Sequence, residues 1–396
     1  MINPHICYAV SFSIALSLYL PGWSDLYPPL SLELSLFLLL TIFVHTLAGI
    51  WLGSKRVHVF QRLDNRHAFA PMVVTMFLYT LWLAEFYYAG GVPFFKILMM
   101  SPYDYKLFGI PTLHVFVVTF SSFYTLYLFH IYLSKRSFLI LVLYAVNLMA
   151  ALLIYNRGML LFNLSASVFL FVMREGRVSL KHGVLGITAI VFILYLFGVL
   201  GSLRVSNESQ KSYSNEGFLE TGHASQAFLD SAVPPEFFWT YMYTTSPLAN
   251  LQKNVAVNEP PPFGLGTFFG WLNNEILFDF ISKRINVYRG KKPLKEYTLP
   301  GPFNVSTIYS GSFSYFGWWG LILMGIVILL IPTLFLKILP PASPFFLTAF
   351  AILSTLFLFM IFDNTISFTG LSFSLVYPVL LHPLTRRFEW LKSIFL

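Results

Sequence analysis

Between Arg136 and Arg174 the chain runs for 37 residues with a single charge, Arg157. No other feature limits the fold as tightly. A membrane-spanning helix takes roughly 17–25 mostly apolar residues, so at about 1.5 Å per residue this run is too long for one crossing. An arginine at the bilayer centre costs at least about 2.5–3.5 kcal/mol. Both constraints are met by two short spans, 138–155 and 158–173, joined by a tight turn at "NRG" (156–158). Arg157 then sits at a hairpin tip near the membrane surface, and Gly158 is expected to permit the turn.

The rest of the chain fits the same solvent. It is 57% apolar, 18% aromatic and 11% charged, whereas a soluble domain carries about 25% charged residues. The pattern predicts an all-α polytopic membrane protein with about ten spans, at 4–20, 30–53, 68–89, 112–133, 138–155, 158–173, 183–203, 311–336, 344–362 and 366–383. The N-terminus has no Lys or Arg before its apolar run, so it reads as a first span and not as a signal peptide. With ten spans both termini share a side. That side collects 13 of the 25 Lys and Arg, among them Lys55, Lys135, Arg136 and Arg386, against Lys96, Lys106 and Arg157 in the short loops opposite. The excess of positive charge marks the cytoplasmic face, so both termini are expected inside and Arg157 outside. The net charge of +8 lies mostly in these loops and gives no reason to expect nucleic acid. Cys7 is the only cysteine, so an internal disulfide is impossible.

Three regions follow: spans 1–7 over 1–203, a large external segment over 204–310, and spans 8–10 with the C-terminus over 311–396. The external segment holds nine acids and nine bases. A loop of this length is usually functional or disordered, and its aromatic content argues against disorder. Two stretches in it read as helices, "PPEFFWTYMYTTSPLANLQ" and "TFFGWLNNEILFDFISKR". The second is expected to wedge against the spans or the membrane interface.

Several residues at the outer boundary could carry chemistry. Arg157 ends a hairpin, Arg204 follows a span, and Arg284 and Arg289 lie in the basic stretch "SKRINVYRGKKPLK". Arginine holds phosphate bidentately and keeps its charge when partly dehydrated. Arginines near helix ends also snorkel to ordinary headgroups, and the sequence leaves both readings open. Glu85, late in the third span, is an intramembrane acid and so a candidate for function, or a partner that orients an arginine such as Arg157. Asn304, Thr307 and Tyr309 offer hydrogen-bonding groups suited to sugar hydroxyls. His223, with Glu208, Glu216, Glu220, Asp230 and Glu236, supplies candidate bases in the external segment. Asp363 reads as a turn residue between the last two spans. There is no Asp-x-Asp pair, P-loop, Gly-x-Ser-x-Gly or His-Glu-x-x-His, and neither a metal site nor a cofactor is expected.

Four features together resemble the O-antigen and oligosaccharide repeat-unit polymerases of the Wzy type. They are "AGGVPFF" after the third span, "NRG" at a hairpin tip, an arginine closing the span before one large external loop, and "FNVSTIYSGSFSYFGWWG" leading into the next span. "YMYTTSPLANL" within the loop fits the same pattern. One departure stands at "FSYFG", where Tyr315 occupies a position at which the resemblance leads one to expect an aspartate. The resemblance implies a GT-C-like glycosyltransferase of the bacterial inner membrane. Such an enzyme transfers a growing glycan from one undecaprenyl diphosphate onto another lipid-linked repeat at the periplasmic face. Implied partners are the lipid-linked donor and acceptor, membrane lipids and a chain-length regulator protein. It also implies that Arg157 and Arg204, with Arg284 and Arg289 as weaker matches, handle the substrate. The competing expectations are a flippase or transporter for the lipid-linked unit, an O-antigen ligase, and a non-catalytic assembly protein.

Overall fold

Apolar runs of this length leave the backbone no partner but itself, and the structure resolves them as helices. The computed structural model describes residues 2–55, 60–63, 69–99, 108–176 and 216–395, together with scattered positions between 183 and 199. Among the described residues there is no named strand, only one isolated bridge between Ser24 and Ala224.

The first seven helices are α1 (Pro4–Tyr19), α2 (Leu32–Ser54), α3 (Ala70–Tyr88), the short α4 (Pro93–Leu98), α5 (Leu113–Lys135), α6 (Phe138–Leu153) and α7 (Arg157–Glu175). The last part of the bundle is α13 (Ser310–Phe316), α14 (Trp318–Ile338), α15 (Phe346–Phe359), α16 (Thr369–Ser372), a 3₁₀ turn (Phe373–Leu375), α17 (Val376–Arg387) and α18 (Glu389–Phe395). Between them lie α8 (Glu216–Thr221), α9 (Gln226–Leu229), α10 (Phe237–Val257), α11 (Leu265–Trp271), a π-helical turn (Leu272–Ile276) and α12 (Asp279–Arg289). Among the described residues five helices, α2, α3, α5, α7 and α14, are long and apolar enough to cross a membrane, and α1, α6 and α15 are shorter apolar helices.

Burial separates two kinds of apolar helix. In α15 every residue from Phe346 to Phe357 is buried, and the helix packs against α1, α5 and α7. A helix that is apolar all round and buried all round is a core element. By contrast α2 and α14 expose most of their apolar surface, including Leu36, Leu40, Phe43, Ile322, Ile326 and Leu330, as lipid-facing helices do.

The two ends of the bundle differ in kind. At one end the α1–α2 connection and the start of α5 meet the 216–310 segment. Ser24 Oγ donates to the Gly222 carbonyl (2.6 Å), Ser31 N to Gln252 (2.9 Å) and Arg284 Nη2 to the Thr112 hydroxyl (2.6 Å). At the other end Leu63 N bonds Ser134, the His130 ring bonds the Gln61 carbonyl, and Tyr127 reaches the Phe395 carbonyl. Lys55, Arg62, Lys135, Arg136, Lys337 and Arg386 lie at or near that second end in the chain path. The segment 216–310 therefore caps the bundle end opposite the basic loops.

Four local expectations are corrected. The hairpin tip turns at Tyr155, which takes a left-handed φ of 56°. Asn156 then caps α7 by accepting from Met159 N (2.9 Å), and Gly158 lies inside the helix. The span predicted over 311–336 is broken at Gly317 (φ 58°), which separates the short α13 from α14. The stretch over 366–383 is likewise three short pieces. The predicted helix "TFFGWLNNEILFDFISKR" is interrupted by the π turn and by extended backbone at Leu277. Its second half does wedge against the spans: Phe280 packs on Phe116 and Phe373.

Candidate functional site

The π turn Leu272–Ile276 places Asn273, Asn274 and Glu275 at the centre of the cap. π turns inside helices recur at functional sites because the extra residue redirects side chains. Asn286 on α12 braces this turn, accepting from Asn273 Nδ2 (2.9 Å) and donating to Asn274 Oδ1 (2.7 Å). Asn274 donates to the hydroxyl of Tyr315 (2.8 Å). Tyr315, which stands where an acid was expected, is thus joined to the residue next to an acid, Glu275.

Glu275 is held from two sides. Asn364 Nδ2 donates to its backbone carbonyl (2.9 Å) and to its Oε2 (3.0 Å). On the other side Gly311 leaves the space that the carboxylate fills, and a Cβ there would overlap it. Asn364 is itself fixed by an Asx-type turn, its Oδ1 accepting from Ile366 and Ser367, while its N–H donates to Asp363 Oδ1 (2.7 Å).

The loop 295–307 closes the site, and α10 sets its path. Asn250, Asn254 and Asn258 recur every four residues, which puts them on one helical face. Asn250 donates to the carbonyls of Phe303 (2.8 Å) and Val305 (2.6 Å) and accepts from Leu299 N (2.6 Å). Asn254 accepts from Tyr297 N (3.1 Å) and donates to the Ser310 carbonyl (3.0 Å). Asn258 donates to Ser314 (2.8 Å). The loop backbone groups among these, in an irregular segment, take their partners from this face.

Two adjoining cavities result. The larger, about 730 Å³, is lined by Asn274, Glu275, Asp279, Ser282, Lys283, Asn286, Lys291, Lys292, Glu296, Asp363, Asn364 and Ser367, among others. The smaller, about 340 Å³, is lined by Glu275, Glu296, Thr298, Asn304, Val305, Ser306, Thr307, Gly311, Asp363 and Asn364. Glu275, Glu296, Asp363 and Asn364 belong to both, so the carboxylates stand where the cavities join. Among the described residues none of these three carboxylates has a cation within ion-pairing distance; Lys283 pairs instead with Asp279.

This crowding alters protonation. Glu275 is 8% exposed, and burial, with the nearby charge of Glu296, pushes its carboxyl up to about 8 against a weaker downward pull from the Asn364 hydrogen bond. Glu296 and Asp363 face the water of the cavities but are walled in by protein. Loss of hydration raises both above the usual carboxylate range, with Asp363 adding to the effect on Glu296 and Asp279 to that on Asp363. Carboxylates that cannot all ionise together are the raw material of acid–base chemistry.

A third cavity, about 760 Å³, is apolar. Pro260, Pro261, Phe263, Phe268, Phe316, Trp319, Ile322, Leu323 and Ile326 line it. It runs along the exposed flank of α14. The seven-residue α13 links it to the polar site, with Gly311 on one side and Phe316 on the other.

The residues singled out from sequence are dispersed around this site. Asn304 and Thr307 line the smaller cavity. Tyr309 does not: it is fully buried and bonds Tyr8 on α1. Glu85 is also fully buried, and its partner is His114 (2.7 Å), not Arg157. Arg157 is exposed at the hairpin tip, its guanidinium 5.2 Å from the Tyr155 ring centre and Nη2 3.4 Å from the Tyr155 hydroxyl. Arg284 is exposed, bonded to Thr112 and lying over Phe280. Arg289 sits in the last turn of α12. His223 is exposed with a left-handed φ of 46°, its carbonyl accepting from Asp25 N (2.9 Å). None of Arg157, Arg284, Arg289, Glu85, His223 and Tyr309 lines either polar cavity. Arg204 lies outside the described residues. Glu275 and Glu296 were not singled out, and Asp363 was read as a turn residue. A lone acid in the apolar stretch "GWLNNEILF" was the available signal for the first. Among the described residues no group of three or more His, Cys, Asp or Glu is arranged to hold a metal. Compared with protein-family models, curated proteins and solved structures, the chain matches none.

Proposed function

We propose that this protein is a membrane glycosyltransferase that extends lipid-diphosphate-linked oligosaccharide repeats at the outer face of the bacterial inner membrane. The observation that carries the reading is the junction of the two polar cavities. Three carboxylates with no counter-cation among the described residues meet there, with lysines on one side and neutral hydroxyl and amide groups on the other. A glycosyl transfer between lipid-linked sugars needs these things: an anion site for the departing diphosphate, neutral hydrogen-bonding walls for sugars, and a carboxylate for the proton of the attacking hydroxyl. The apolar cavity beside α14 suits the isoprenoid tail that such substrates carry.

In this reading Lys283, Lys291 and Lys292 face the diphosphate, a role expected from sequence of Arg157. Asn304 and Thr307 keep the sugar-positioning role. The acid that the resemblance places at 315 is supplied from the π turn. With ten spans and both termini in the cytoplasm, as we propose, the cap and its cavities face the periplasm.

The test is the surface polysaccharide of a deletion strain. A polymerase knockout displays single repeats only, and plasmid-borne wild-type protein restores the ladder of long chains. Single repeats trapped on the inner leaflet would instead indicate a flippase, and complete loss of capped core a ligase.

A further inference from the structure

Resting on the glycosyl-transfer reading, we propose that Glu275 is the general base, that the smaller cavity holds the acceptor sugar, and that the lysine-rimmed cavity holds the donor diphosphate. The assignment comes from how the walls differ. Beyond the shared carboxylates and Asn364, the smaller cavity offers Thr298, Asn304, Ser306 and Thr307 and, among the described residues, no cation. A neutral sugar is bound by such groups, whereas a diphosphate is not neutralised by them. The larger cavity adds Lys283, Lys291 and Lys292, and among the described residues no carboxylate lies within ion-pairing distance of Lys291 or Lys292. An acceptor hydroxyl on one side and an anomeric carbon on the other must meet at the junction, beside the three acids.

Of these acids Glu275 is the one built to stay in place. It is more than nine-tenths buried, on a turn braced by Asn286. Among the described residues the one hydrogen bond to its carboxylate is Asn364's, to Oε2. Oε1 has no hydrogen bond among the described residues and lies over Gly311, which lines the smaller cavity. Asp363 already uses Oδ1 to accept from the Asn364 N–H, and both Asp363 and Glu296 are exposed to cavity water. The step balances as follows. Oε1 takes the proton of the acceptor hydroxyl, and the freed oxygen bonds the anomeric carbon. The bond from that carbon to the diphosphate oxygen breaks, and its electron pair leaves on the diphosphate beside the lysines. Glu275 returns its proton to water by way of the more open Glu296 and Asp363.

The experiment uses full-length protein in lipid nanodiscs and lipid-linked repeats extracted from the deletion strain, with chain elongation followed over pH. The charge of Glu296 helps to raise Glu275 to about 8, so wild-type kcat climbs about tenfold per pH unit below that point and then levels. Glu275→Gln lowers kcat by about a hundredfold or more, leaves the acceptor KM within about threefold, and abolishes the slope. Glu296→Gln, which removes the neighbouring charge and keeps the side chain's shape, moves the midpoint to lower pH. Turnover by Glu275→Gln above a third of wild type, a surviving pH slope in it, or an unmoved midpoint in Glu296→Gln overturns the assignment. Should Glu275→Gln fail to reconstitute, the Glu296→Gln midpoint decides alone. Absence of elongation by wild type would remove the glycosyl-transfer reading itself, a different outcome from any of these.

Discussion

The α6–α7 hairpin tip and the carboxylate junction are both polar places in an apolar protein, and they are built in opposite ways. The tip is local: Tyr155, Asn156 and Arg157 are consecutive, and the turn is complete within a few residues. The junction is assembled from a π turn, an irregular loop and a connection between bundle helices, residues 275, 296 and 363. At the tip the charge is exposed and answers to water and headgroups. At the junction the charges are confined and answer to each other. A conspicuous charge in an apolar run here marks a local turn, whereas the confined charges lie where residues far apart in sequence are brought together.

The sharpest way to break this comparison is to add one carbon at each place. Gly311→Ala puts a Cβ into the volume of the Glu275 carboxylate. It is expected to cut elongation by about a hundredfold, the low end of what loss of a general base costs. Gly158→Ala meets only Asn156 Oδ1, at 3.4 Å, within a helix. It is expected to keep activity and to raise stability by up to about 1 kcal/mol through a stiffer unfolded chain. Elongation assays and thermal unfolding of the two variants check both. Equal losses would mean that the tip is as constrained as the junction.

These two places also show what was legible beforehand. The spans could be read because lipid demands long apolar runs and nothing else supplies them; α2, α3 and α5 fall within a few residues of expectation. The hairpin was legible because its length and its charge were both local. The breaks at Gly317 and in the last predicted span were not, since apolar sequence looks the same in a short packed helix and in a spanning one. Glu275 was visible as an acid in apolar company, but its meeting with Glu296 and Asp363 depends on a π turn and on loop closure, which have no period in sequence. The asparagines at 250, 254 and 258 did have a period. They lay within or just beyond a stretch read as helical, and only the fold shows that their face carries the loop.

That asparagine face gives the intermediate effect. Asn254→Ala leaves the Tyr297 N–H without its side-chain partner and removes one of two side-chain donors to the Ser310 carbonyl, Ser314 Oγ remaining. An unsatisfied buried group costs about 1–3 kcal/mol, so the unfolding temperature is expected to fall. Elongation is expected to fall about tenfold, because Glu296 and Thr298 ride on the freed loop. A melting-temperature loss with full activity would show that the loop is held by other contacts and that α10 only stabilises it.

Among the charged residues, the smallest effect is expected at Arg157. Its contacts are the Tyr155 ring at 5.2 Å and a long hydrogen bond at 3.4 Å to the same side chain. An exposed cation–π contact is worth about 0.5–1 kcal/mol, and lysine retains the charge and a similar reach. If Arg157 anchors the tip among headgroups, Arg157→Lys keeps chain length and elongation rate within about threefold of wild type. Arg157→Ala costs somewhat more through a less firmly placed hairpin. Lysine loses the planar fork that grips a diphosphate with paired hydrogen bonds. A hundredfold loss in Arg157→Lys would therefore place the departing diphosphate at the tip and take that role away from Lys283, Lys291 and Lys292. The two regions would then be parts of one site brought together by substrate, and the contrast between local and assembled polarity would fail at its first example.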